Sequence, residues 1–427
     1  MSISNCIRLT LNIKDKNIKF TEKSVKEENI NGVVSLIYNG ILSPDAPAFC
    51  PKCGCLNEHY DIIKHGSKIV NIKLPRISNR KVILRLKKQR YFCKQCRQTF
   101  SAETSCVDFN RSISKNTYHS CVLQMKDKIS ITDIARHHDI SHATVNNYLK
   151  AIHNHFIVDK KYLPKHLSFD EFKSVKSCVA KMSFIFTDAD NNKVLDIVYN
   201  RQLSHLKSYF FTYSKEARDQ VQTICIDMYA PYVSLIQSCF PNAKIVLDRF
   251  HIIQILTRSL NRTRIQAMNK NKTYYNKLKR YWRLLLRDYK HLNQTDYRYF
   301  VCFKYKMTEL EVLNELLRSD KELEATYWFY QKLKIYYNAK NYQSMIDTLK
   351  NPPSALSKSM KTSVTSLLKF EQELKNSLYY KYSNGGIEGT NNLIKVIKRI
   401  AFGYRSYENF RSRILLVTNT MVRLKYQ

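Results

Sequence analysis

Three carboxylates stand where metal-assisted chemistry can be done. Asp170 closes the apolar run His166-Leu167-Ser168-Phe169-Asp170, and Asp227 closes Ile224-Cys225-Ile226-Asp227. Glu388 lies in Asn384-Gly385-Gly386-Ile387-Glu388-Gly389-Thr390-Asn391-Asn392, just before a long basic helix. Two aspartates on strand ends and a glutamate on a late helix can meet at one point. Their hard oxygens suit Mg²⁺ or Mn²⁺. Two such ions about 3.5–4 Å apart clamp both oxygens of a phosphodiester exchange. Asp248 competes with Asp227, because it too ends an apolar strand, Ile245-Val246-Leu247-Asp248. Asp248 and His251 read as a supporting pair, with Asp248 the alternative acid. Glu171, next to Asp170, is expected on the opposite strand face and away from the same metal. Four of the eight glycines fall between 385 and 403, three of them around Glu388. Glycine permits close backbone approach, so this pattern points to a crowded site.

A second metal chemistry is written in cysteines. Cys50-Pro51-Lys52-Cys53 and Cys93-Lys94-Gln95-Cys96 form two CxxC turns. Each turn offers two thiolates to one tetrahedral ion, and four thiolates close the coordination sphere of a structural Zn²⁺. The intervening segment is longer than the usual ~15–20 residues, so strands must fit between the turns. Cys55, His59 and Cys106 are nearby spare donors. Lys73, Arg76, Arg80, Lys81, Arg85, Lys87, Lys88 and Arg90 would decorate this module as a phosphate-binding surface.

Residues 131–150 carry helix-turn-helix spacing. Ile131, Ile134 and Ala135 give one inward face, Ile140 fills the turn, and Val145 and Leu149 face inward from the second helix. Ser141 is placed to cap that helix. His142, Thr144, Asn146, Asn147 and Lys150 then face outward, with side chains suited to base edges and phosphates.

The elements that must position these groups fall into zones. Residues 1–48 are a polar lead-in of uncertain structure, 49–106 the zinc-binding module, and 107–160 short helices including the helix-turn-helix. Strands are expected at 165–170, 178–187, 193–200, 221–227 and 243–248. Helices at 203–213 and 229–239 separate the later ones, giving a mixed α/β sheet. Residues 255–380 read as helical throughout, with one break at Pro352-Pro353. Trp282 and Trp328 lie there as helix-packing core or as platforms for an unpaired base.

Composition names the partner class. The 427 residues carry a formal charge of +36, from 71 Lys+Arg against 35 Asp+Glu. Ordinary soluble domains need only about 2–8 net charges, so a polyanion is the expected partner. No apolar stretch approaches the ~20 residues of a spanning helix, which argues against a membrane. The first residues lack the charged and apolar regions of a signal peptide. Twelve cysteines in such a chain argue for thiols and metal in a cytoplasmic protein.

In combination these motifs resemble bacterial insertion-sequence transposases of the ISL-three family. The likeness runs from residue 49 to the end through CxxC…CxxC, the helix-turn-helix, Ser168-Phe169-Asp170-Glu171-Phe172, Ile226-Asp227-Met228-Tyr229, Pro241-Asn242-Ala243, Asp248-Arg249-Phe250-His251, and Ile387-Glu388-Gly389-Thr390-Asn391-Asn392 through Lys398-Arg399 and Gly403-Tyr404. The resemblance implies an RNase H-like core over 161–260 and 384–427, with a DDE triad of Asp170, Asp227 and Glu388. It also implies a helical insertion over 261–383 and recognition of the element's terminal repeats by the N-terminal domains. Asp248 and His251 resemble the (C/D)xxH signature of several transposase groups. Asn391 or Asn392, Lys395 and Arg399 follow Glu388 at helical spacing as a DNA-facing stripe. The implied partners are double-stranded terminal-repeat and target DNA, held by at least a homodimer on paired ends, in a nucleoid-associated protein. Two other readings stand beside this one. They are a non-catalytic regulator derived from a transposase, and an RNase H-like nuclease that does not join strands.

Overall fold

The computed structural model describes residues 2–178 and 180–418. The chain divides into two compact units, one taking residues up to Ile157 and again from Ile394, the other spanning Val158–Leu393.

The first unit opens with α1 (Ile3–Thr10), capped by Ser2, and a six-stranded sheet. Its strands are β1 (Ile18–Lys19), β2 (Val25–Ile30), β3 (Val33–Leu42), β4 (Ile62–Ile77), β5 (Arg80–Cys93) and β6 (Thr99–Ser101). The order is β1-β3-β5-β4, with β2 added to β3 and β6 to β5. The lead-in is therefore structural. Its β3 runs parallel to β5 from Ser35↔Lys81 to Leu42↔Lys88, inside the sheet. Period-two burial explains the choice of strand: Ile72 and Leu74 on β4 and Val82, Leu84 and Leu86 on β5 are buried at alternate positions. At Gly40 a side chain would meet Ile18, Phe20 and Leu84 at 3.2–3.3 Å, so β3 approaches its neighbours closely there.

Three helices follow: α2 (Lys115–Gln124), α3 (Ile131–His137) and α4 (His142–His153). Ser114, Ser130 and Ser141 cap them, each accepting from a backbone N–H three residues on. Ile131, Ile134, Ile140, Val145 and Leu149 form one buried cluster, as the spacing requires.

The second unit holds β7 (His166–Lys173), β8 (Met182–Asp188), β9 (Val194–Val198), β10 (Thr223–Ile226) and β11 (Lys244–Leu247). The sheet order is β11-β10-β7-β8-β9. Strands β7, β8 and β9 form an antiparallel meander, while β10 is parallel to both β7 and β11. Helices α5 (Leu203–Phe210) and α6 (Lys215–Asp219) precede β10, and α7 (Ala230–Cys239) joins it to β11. Phe169, Phe184, Phe186, Phe210 and Phe240 pack as an aromatic core beside the sheet.

Helices continue with α8 (Arg249–Lys270), α9 (Tyr275–Arg280) and α10 (Trp282–Leu286). The expectation of unbroken helix then fails at a small hairpin, β12 (Arg298–Phe300) with β13 (Tyr305–Met307). Alternation places Phe300 and Met307 inside and Tyr299 and Tyr305 outside, and Lys304 turns the chain with φ +63°. After it come α11 (Glu309–Leu317), α12 (Lys321–Asn338), α13 (Tyr342–Lys350), α14 (Lys358–Leu368) and α15 (Glu371–Tyr379). Their buried leucines share one core with the sheet.

The chain ends with α16 (Gly385–Ile400) and α17 (Tyr407–Val417). Helix α17 completes the helix-turn-helix. Leu416 joins the cluster of Ile134, Val145 and Leu149, and fully buried Arg413 donates from Nη2 to the carbonyls of Asp127 and Ile129 at 2.9 and 2.7 Å. No helix among the described residues is long and apolar enough to cross a membrane.

Candidate active site and nucleic-acid interface

Strand register assembles the aspartates. Ser168 pairs with Cys225, and Ile226 pairs with Leu247. Two residues past the first pair and one past the second, Asp170, Asp227 and Asp248 come side by side on β7 and just beyond the carboxyl ends of β10 and β11. In open α/β sheets that edge is where ligands bind. Burial, with the charge of Asp227 beside it, pushes the Asp170 carboxyl up to about 7. Asp248 is almost fully buried. Burial pushes its pKa up, but hydrogen bonds from His251 and from the Asn384 N–H prevail and hold it below the usual carboxylate value.

His251 bridges the acids. Its Nδ1 lies 3.0 Å from both Asp227 Oδ1 and Asp248 Oδ2. Hydrogen bonds to Asp227 and Asp248 hold the imidazole proton to about pH 10, so the ring is a cation at neutral pH.

Helix α16 is pinned to these acids by two asparagines that sequence reasoning gave no such role. Asn384 donates its backbone N–H to Asp248 Oδ1 at 2.9 Å, and its side-chain amide to the Phe169 carbonyl at 3.1 Å and Asp227 Oδ1 at 3.3 Å. Asn391 donates to Asp170 Oδ2 at 2.7 Å. Glu388 follows Asn384 by four residues and precedes Asn391 by three, which puts it on the same helical face. The signal for both asparagines was this spacing around Glu388. Asn391 is buried and so leaves the expected DNA-facing stripe, whereas Asn392, Lys395 and Arg399 are exposed.

Glu388 itself is exposed. Among the described residues the acids whose ligand atoms lie within 4.8 Å of one another are Asp227 and Asp248, with His251; Asp170 and Glu388 are outside that group. Of the three glycines near Glu388, Gly386 alone shows a tight approach. A side chain there would collide with Asn192, on the β8–β9 turn.

A cavity of about 250 Å³ opens on the acids, lined by Asp170, Glu171, Asp227, Tyr229, Tyr232 and His251 among others. Glu171 thus shares the cavity with Asp170, against the expectation from strand alternation. Its carboxylate is engaged by Arg201 at 2.5 Å and by the Tyr232 hydroxyl at 3.0 Å.

In the first unit the four cysteines converge. The Sγ atoms of Cys50, Cys53, Cys93 and Cys96 all lie within 4.8 Å of one another, with Cys50–Cys96 and Cys53–Cys93 each 3.8 Å apart. Each CxxC turn is closed by a residue of positive φ, Gly54 at +77° and Arg97 at +55°. The backbone N–H of Cys96 draws the Cys93 thiol down to about 6. This donor set and its geometry fit tetrahedral Zn²⁺. Cys55 also lies 3.3 Å from Cys93, while all twelve cysteines are free thiols.

The basic surface is smaller than its lysines and arginines suggest. Arg76 grips the Asp139 carboxylate at 2.8 and 2.7 Å, Lys81 lies 3.5 Å from it, and Lys73 donates to the Asp139 carbonyl at 2.7 Å. These cations dock the helix-turn-helix turn on the sheet. Arg85 pairs with Glu28 at 2.8 Å, Arg80 with Glu27, and Arg90 bonds Thr99 at 3.0 Å. Lys87 is exposed, but Lys88 is half-buried, which depresses its ammonium. On α4, His142, Asn147 and Lys150 are exposed. Thr144 is occupied by the cap with Ser141 at 2.8 Å, and Asn146 is partly covered, bonded to His142 at 3.0 Å and accepting from Asn409 at 3.4 Å.

A family model described as a transposase, of the ISL-three DDE type, matches residues 167–414, more than half of the chain. A model of the zinc-finger of transposases IS204, IS1001, IS1096 and IS1165 matches residues 46–96. The transposase for insertion sequence element IS1001 from Bordetella parapertussis is 23% identical over 395 residues, covering 87% of this chain and 89% of that protein. A Lactococcus lactis subsp. lactis protein named ATP-dependent protease is 35% identical over 124 residues; the match takes in 29% of this chain and 40% of that one.

Proposed function

The chain belongs to the ISL-three family of DDE transposases, and we propose that it cuts DNA at the ends of its element and joins the freed strand to target DNA. The observation that carries this is the row of acids on β7, β10 and β11, tied by Asn384 and Asn391 to the helix bearing Glu388. We read the five-stranded sheet as an RNase H-like core and residues 261–383 as its insertion. The antiparallel β7-β8-β9 meander followed by parallel β10 and β11 supports that reading.

Asp170 and Asp227 are the proposed ligands of Mg²⁺ or Mn²⁺. Their fit rests on two carboxylates that repel each other beside a cavity, the state a divalent cation relieves. When bound, such ions supply Lewis acidity and an activated water. Asn391 fixes the Asp170 carboxylate, and the His251 cation balances Asp227 and Asp248. Glu388 enters from α16 to place the nucleophile. Water opens the phosphodiester at the element end, and the resulting 3′-hydroxyl attacks target DNA in line. Asn147, His142 and Lys150 are the proposed base and phosphate contacts of α4, and Lys87, Lys395 and Arg399 further phosphate contacts.

The test is incubation with DNA carrying the element's own ends and Mg²⁺, with products mapped at nucleotide resolution. Asp170→Ala, Asp227→Ala and Glu388→Ala each abolish cleavage while sparing end binding. Near-normal cleavage by any one removes that residue from the triad. Asp248→Asn is milder; if it alone stops cleavage and Asp227→Asn does not, Asp248 is the second acid. Cleavage without strand joining would favour a nuclease.

A further inference from the structure

The segment from the end of α8 through the β12–β13 hairpin carries a second concentration of charge, outside the acid site, the cysteine cluster and the helix-turn-helix. Between Lys270 and Lys306 lie eleven Lys and Arg residues against two Asp, interleaved with seven tyrosines. The fold gathers part of this segment around one cleft of about 280 Å³. Arg280, Arg283, Arg287 and Arg298 line it, with Tyr299 and Val301 on the hairpin side.

The cleft is held by one buried acid. Glu309 accepts from Arg287 Nη1 and Arg298 Nη2, both at 2.6 Å, so the hairpin and the segment after α10 are clamped together. One carboxylate thus serves two guanidinium groups. Arg280 and Arg283 are exposed and make no ion pair among the described residues. Four cations around one acid leave a net charge of about +3 at the cleft, which favours an anion there. The hairpin adds Tyr297 and Tyr299, exposed at 61% and 60%. A solvated basic face has no need of large aromatic rings on its rim. Arginine forks with tyrosine faces beside them are the means by which proteins hold single-stranded nucleic acid, phosphates in the groove and bases on the rings.

We propose that this cleft binds a single-stranded stretch of DNA, its phosphodiester backbone held by Arg280, Arg283, Arg287 and Arg298 and an unstacked base resting on Tyr299 or Tyr297. A duplex would satisfy the arginines but leave the rings idle, because paired bases hide their faces. The proposal rests on the transposase reading, since strand cleavage is what exposes unpaired DNA near the protein.

The experiment uses the full, zinc-loaded chain with no chelator and no added Mg²⁺ or Mn²⁺, so that binding is read without cleavage and a failed triad assignment does not affect it. The probe is a 12-nucleotide thymidine oligomer bearing one 5-iodo-deoxyuridine. Ultraviolet cross-links should map to Tyr297 or Tyr299. Arg280→Ala with Arg283→Ala should weaken oligomer binding about tenfold and reduce the slope of log K against log salt by about 1.4, two phosphate contacts at about 0.7 each for single strands. Lys358→Ala with Lys369→Ala removes equal charge from exposed positions on and just beyond α14 and should change binding less than twofold. Equal losses in the two double variants would mean that net charge alone binds, and overturn the cleft. So would cross-links that fall only outside 275–306, or a loss of duplex binding as large as the loss of single-strand binding.

Discussion

Leu416→Ala should weaken the DNA reader although residue 416 lies far from it in sequence. Leu416 is 1% exposed and sits in the cluster formed by Ile134, Val145 and Leu149. Removing three buried carbons costs about 0.8 kcal/mol each in transfer, or about 2.4 kcal/mol. The unfilled space adds to this, and Leu→Ala changes at such sites run to about 2–5 kcal/mol. A value of about 3 kcal/mol lowers the folded-to-unfolded ratio by about 150-fold. Domain stabilities are only about 5–15 kcal/mol, so the loss is large. Leu378→Ala is the matched control, an equally buried leucine of the second unit. Native-state hydrogen exchange reads the outcome. Amides of α3 and α4 should exchange about 100-fold faster in Leu416→Ala and at wild-type rates in Leu378→Ala, and end binding should fall only in the former. If α4 exchanges alike in both variants, α17 does not support the reader and its role has been misjudged.

Excess chelator should release about one zinc per chain and unfold the six-stranded sheet, because metal binding supplies about 10–16 kcal/mol to small zinc folds; metal analysis with circular dichroism checks it, and a chain that keeps its sheet without zinc would refute it. Asn391→Ala should reduce cleavage at least tenfold at fixed Mg²⁺ and raise the Mg²⁺ concentration needed for half-maximal rate, since it frees the Asp170 carboxylate; an unchanged Mg²⁺ titration counts against that role. Asn147→Ala should relax sequence preference by about 1–3 kcal/mol on cognate against scrambled ends, with Asn146→Ala smaller because Asn409 already covers it. Lys87→Ala should weaken binding on every sequence and lower the salt slope by about 0.9, the value of one duplex phosphate contact; a sequence-dependent effect would make it a base contact instead.

What could be read in the sequence was local. The strands behind Asp170, Asp227 and Asp248 announce themselves as apolar runs ending in an acid; the structure has strands there, but β7 runs on to Lys173, so Asp170 lies within its strand and not at its end. The helix-turn-helix and both CxxC turns likewise depend on residues within a few positions of one another. What was hidden is non-local. Nothing in Val33–Leu42 says that it pairs with β5, and nothing in Arg413 or Leu416 says that they close a core begun at Ile131. A fragment of residues 45–160, which the motifs alone mark as self-contained, lacks both supports. Charge misled for the same reason. Arg76, Lys81 and Arg85 have the composition of a phosphate surface, but their partners Asp139 and Glu28 lie some 60 residues away. Asn384 and Asn391 were in view as motif letters, yet their roles follow only from where α16 lies against β7 and β10. The small hairpin at 298–307 was missed because two three-residue strands are too short to show a period.

The position of α17 also sets an order in time. Tyr407 follows His153 by 254 residues, so the ribosome must add that much chain after α4 before its last packing partner exists. At ~5–20 residues per second this is roughly 13–50 s. Through that interval the nascent protein has its cysteine turns and its strands but an unfinished reader. A product cut short by a nonsense codon or a stalled ribosome stays in that condition, with α4 lacking the packing partner that Leu416 supplies.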